Sequence, residues 1–133
     1  MDAADRIIEL FDCLLSLDAD RILTWPFAEQ VVFVVVCARC EKDINGFASI
    51  FVQAFEPREL EVLTQGLRKP GEPQLADDFA LILDLLERNG FYRHRDWDLL
   101  SPDVRVQIDA IGDRIGDQLW SLDEKMVALI DAQ

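Results

Sequence analysis

Apolar positions step along this chain with the 3.6-residue period of helices almost from end to end. Ile7, Ile8, Phe11, Leu14 and Leu15 form one apolar stripe on an opening helix. Asp18 and Asp20 then stand where a turn or N-cap belongs. Pro26 suits the first turn of a second helix, with Phe27, Gln30, Val31, Val34, Val35 and Ala38 along a face and Asn45-Gly46 as its stop. Only the β-branched run 31–36 argues for a strand. A lone strand has no sheet to join, so tertiary context is expected to make it helical.

Residues 47–55 read as a short apolar helical segment ended by Pro57. The stretch 57–69 reads as a helix with acids early and Arg68-Lys69 at its end, matching the helix dipole. Residues 70–73, Pro-Gly-Glu-Pro, read as a loop. The next helix points Leu75, Phe79, Ile82, Leu85 and Leu86 inward and stops at Asn89-Gly90. Residues 91–100 are aromatic and charged without a clean period, as in an ordered loop. Ser101-Pro102-Asp103 is a helix start, followed by a stripe of Val104, Ile108, Ile111, Ile115 and Leu119. Ser121 to Glu124 reads as a capping box for a last helix carrying Met126, Leu129 and Ile130. The expectation is all-α: a single compact domain, 1–133, of about six helices, with the 26–43 helix central and buried.

Composition adds mainly charge. Half of the 133 residues are hydrophobic and 29% are charged, a balance that suits a packed soluble domain. The longest apolar run, 31–38, is far too short for a membrane span, and the acidic start lacks the basic region of a secretory signal. Three cysteines without framework spacing fit a reducing cytoplasm. Acids outnumber bases 26 to 13, a formal net charge of −13. Such a chain is repelled by nucleic acid and by anionic membranes, so neither is expected as a direct partner.

Candidate chemistry is sparse. Cys37 and Cys40 form a C-x-x-C, but Pro26 opens their helix and Asn45-Gly46 closes it. They therefore lie towards the C-terminal end, where the dipole disfavours a thiolate. Cys13, Cys37, Cys40 and His94 are the residue types of a Cys3His zinc site, although a chain of this length needs no structural metal and none is expected. His94, the only histidine, has Arg93 and Arg95 beside it, with Asp96 or Asp98 as orienting groups and Ser101 as a conceivable nucleophile. No nucleophile elbow or phosphate-cradling glycine loop accompanies them, and neither catalytic residues nor a cofactor are expected.

The aspartate spacing is more pointed. Asp109, Asp113 and Asp117 recur every four residues, a ridge separate from the apolar stripe, with Arg105 and Arg114 as the nearby cations. Asp96, Asp98 and Asp103 precede it. Like charges at this spacing suit either a solvated face or one that meets cations. Carboxylates about 6 Å apart along a helix approximate the charge spacing of a phosphate backbone and would steer a basic protein surface.

The run Glu41-Lys42-Asp43-Ile44-Asn45-Gly46-Phe47, then Phe51, resembles the signature of the DNA-mimic protein family of the Neisseria type. That signature is a glutamate, a polar turn with two glycines, and a phenylalanine leading into an aromatic-rich helix. Glu41, Gly46 and Phe47 match in place; Asn45 stands where the first glycine is usual, and Ile50 replaces one of the aromatic pair that Phe51 half supplies. The ending, 115–133, is similar to the family's close. The resemblance implies an all-helical, acidic, non-enzymatic protein that can form a homodimer and occupy the DNA-binding surface of a partner.

The leading expectation is a small acidic binding protein whose C-terminal carboxylates meet a basic protein surface, belonging to a DNA-binding protein or a toxin. The alternatives are an immunity protein covering a toxin, or a metal- or thiol-dependent enzyme using Cys37, Cys40 and His94.

Overall fold

The computed structural model describes residues 1–69 and 71–133. It contains six α-helices joined by short 3-10 and π turns, with no strand among the described residues. They are α1 (Ala3–Leu14), α2 (Phe27–Asn45), α3 (Pro57–Arg68), α4 (Pro73–Arg88), α5 (Pro102–Ile115) and α6 (Asp123–Asp131). Of the loop expected over 70–73, Pro70 lies outside the described residues; Gly71 turns with φ +86°, and Pro73 opens α4.

α2 is the axis of the fold. It packs against α1, α3 and α6, while α4 lies on α3 and α5 lies on α4. All six residues 31–36 are buried, so the β-branched run is helical because it is enclosed on every side. Close approach is built in at Gly66 of α3: a Cβ there would stand 2.5 Å from Cγ2 of Val31. Pro26 is the N-cap of α2 rather than a first-turn residue.

Each expected stop is present, but some details differ. On α1 only Ile7 and Leu14 of the proposed stripe are buried; Ile8 and Leu15 are more than half exposed, while α1 packs chiefly against α2 and α6. Ser121 caps nothing in α6: its hydroxyl donates to the carbonyl of Gln118, and α6 starts at Asp123 after Leu122. Ser101 does cap α5, accepting from the Val104 N–H. Residues 91–100 are an ordered loop with two single 3-10 turns, Phe91–Arg93 and Trp97–Leu99.

Candidate functional site: an acidic cleft beside the α2 turn

The turn after α2 places the acidic face. Gly46 has φ 94°, a conformation open to glycine and strained for other residues. The Glu41 carboxylate accepts from the Asn45 side-chain amide and from the Ser49 hydroxyl, tying the last turn of α2 to the segment beyond it. Phe47 then lies flat against α5, where a Cβ on Gly112 would come within 2.7 Å of its ring. Phe51 is fully buried, and Phe47, Phe51 and Phe79 meet edge-on or tilted with centroids 5.4 to 6.4 Å apart. Of these residues, Glu41 and Asn45 tie the last turn of α2, Gly46 takes the positive φ, and Phe47 and Phe51 pack into the core, Phe47 against Gly112 of α5.

Against this turn lies a cleft of about 540 Å³ lined by Lys42, Phe47, Asp109, Gly112, Asp113 and Gly116. Asp109 and Asp113 are exposed, one helical turn apart on α5. The ridge does not continue as a helix. α5 ends at Ile115, Gly116 turns with φ 51°, and Asp117 leaves the helix axis. The turn nevertheless keeps Asp117 near the same cleft, 3.6 Å from Lys42 Nζ.

The nearby arginines are committed elsewhere. Arg114, expected to offset the ridge, pairs instead with the carboxylate of Asp78 on α4. Asp78 is only 2% exposed and also accepts from Gln74. This pairing holds the Arg114 guanidinium above its ordinary pKa, first through the hydrogen bond and then through charge. Arg105 reaches Asp98 at 3.8 Å. Asp109 and Asp113 therefore have no ion-pair partner among the described residues.

Asp96, Asp98 and Asp103 lie at the other end of α5 and form a separate acidic group. Asp96 caps the short turn there, accepting from the Asp98 N–H, and Asp103 sits in the first turn of α5, where the dipole favours an anion. The His94 ring is not oriented by either carboxylate: its Nδ1 accepts from the Asp96 backbone N–H. Cys13, Cys37, Cys40 and His94 are not brought together, and no group of three metal-ligand side chains occurs among the described residues. Cys13 is exposed on α1; Cys37 and Cys40 are half-buried on α2. Burial, then the nearby Cys40, Glu59 and Glu41, pushes the Cys37 thiol up to about 12.

Two charged residues went unnoticed in the sequence pattern, Asp78 and Arg39. The Arg39 side chain is 4% exposed, donates to Asp123 at 2.8 Å and stacks over the Trp120 ring at 4.5 Å. It ties the central helix to the start of α6. The available signal for Arg39 was a charge directly after the apolar run 31–38. No protein-family model matches this chain, and neither the curated proteins nor the solved structures give a significant match.

Proposed function

We propose that this chain is a small acidic, non-enzymatic binding protein that covers a basic protein surface with the carboxylates around the α2–α5 cleft. The observation that carries this reading is the Asp109–Asp113 pair, which has no ion-pair partner among the described residues: Arg105 and Arg114 are engaged elsewhere, and Lys42, in the same cleft, pairs with Asp117. Two like charges one turn apart cost a few tenths of a kcal/mol, which a basic partner more than offsets on contact. Asp117 adds a third carboxylate at the edge, and Phe47 supplies an apolar floor beside them. The resemblance of the 41–51 segment to the DNA-mimic family favours a DNA-binding protein as the partner.

The test is affinity capture from the native cell, comparing the wild-type chain with the triple variant Asp109→Asn, Asp113→Asn, Asp117→Asn. A basic partner retained by the wild type, lost by the variant and displaced by added duplex DNA supports mimicry. Retention that DNA leaves untouched points to a toxin partner instead. Equal capture by both proteins contradicts the role of the cleft.

A further inference from the structure

A second groove, of about 560 Å³, shares no lining residue with the acidic cleft. It runs between α1, the Ala19–Thr24 turn, the C-terminal half of α2 and the start of α3. Its apolar lining includes Phe11, Ile22, Phe33, Ile44 and Phe55. Ile44, in the exposed last turn of α2, stands 78% exposed and lines the groove. Ile8 and Leu15 share the face of α1 that carries Phe11, and both are more than half exposed. With Phe11 they make an apolar strip of about 10 Å on α1 beside the groove, two turns of helix.

The rim of this groove is charged with one dominant sign. Asp20, Glu41, Glu56 and Glu59 line it against a single cation, Arg58. Two of these carboxylates are fixed in place. Glu41 accepts from Asn45 and Ser49, and Glu59 accepts from the Glu56 N–H. Glu56 is the one already paired, with Arg95. An apolar groove with fixed carboxylates on its rim and an exposed two-turn apolar strip beside it has the charge and lining of a helix-binding groove.

We infer that this groove binds an amphipathic helical segment of a basic protein. Apolar residues spaced one turn apart on that segment cover Phe11 and Ile44, while its flanking lysines or arginines meet Asp20, Glu41 and Glu59. Charge selects this occupant. A second copy of a chain with net charge −13 would set carboxylate against carboxylate, and an anionic membrane surface meets the same repulsion. The groove is a second contact surface, independent of the α5 cleft.

The test is a titration of the isotope-labelled full chain with a synthetic leucine–lysine helix, followed by amide chemical shifts. A control peptide has the same composition but disperses its leucines around the helix. The amphipathic peptide is expected to shift the Phe11, Ile44 and Glu59 amides while leaving those of Asp109 and Asp113 in place. It is expected to bind about tenfold more tightly than the control, and the exposed-site variant Ile44→Ser to weaken it by about the same factor. Equal affinity for both peptides, shifts centred on Asp109 and Asp113, or no effect of Ile44→Ser overturns the inference. Movement of the groove amides with protein concentration alone would assign the surface to a second copy. Because the two surfaces are read at different amides, either assignment can fail without the other.

Discussion

The three thiols of this chain differ by environment rather than by motif. Cys13 faces solvent, whereas Cys37 is kept protonated by burial and by neighbouring negative charge. Alkylation near pH 8 with mass-spectrometric readout should modify Cys13 well before Cys37; equal rates would contradict the buried placement. A thiol whose pKa is raised in the fold contributes stability below its ordinary value of 9.0, lost as pH rises towards about 12. Alkaline unfolding across that window is expected to shift upward in Cys37→Ala. At Gly112 a methyl group collides with the Phe47 ring, so Gly112→Ala should cost about 1–3 kcal/mol in urea denaturation despite alanine's better helix propensity. No loss would mean that Phe47 does not hold α5. The end of α2 that carries the cysteines was legible from Pro26 and Asn45-Gly46. The buried charges Arg39 and Asp78 were not, because their partners lie far away in sequence.

At the scale of elements, periodicity located the helices but did not fix their surroundings. The 31–36 run forms a helix against its local preference because α1, α3 and α6 enclose it. Ile8 and Leu15 looked like core residues because periodicity cannot say how many neighbours a helix has. The break after Ile115 was available in Gly116, yet the four-residue aspartate spacing continues straight through it. The joint between α2 and α6 gives a directional prediction. Asp123→Ala strands the Arg39 guanidinium in the interior and should cost about 3–5 kcal/mol. Arg39→Met leaves Asp123 at a partly exposed helix N-terminus, so it should cost less. Chemical denaturation of both variants checks the order, and a reversed order would mean that the pair does not anchor α6.

For the whole molecule, the net charge of −13 was legible at once, while its distribution was not. Which acids are neutralised depends on where Arg105 and Arg114 reach, and the fold sends both away from Asp109 and Asp113. The turn after α2 sets Phe47 against Gly112 of α5, beside the acidic face. No helix among the described residues is long and apolar enough to cross a membrane. In the proposed function the cleft carboxylates steer a basic protein onto this surface. The most direct measurement is the association rate with the captured partner at about 50 and 200 mM salt, for the wild type and the Asp109/Asp113/Asp117→Asn variant. The expected result is a wild-type rate that falls steeply with salt and a variant rate that is slower and nearly flat. Rates that coincide at both salt concentrations would contradict it.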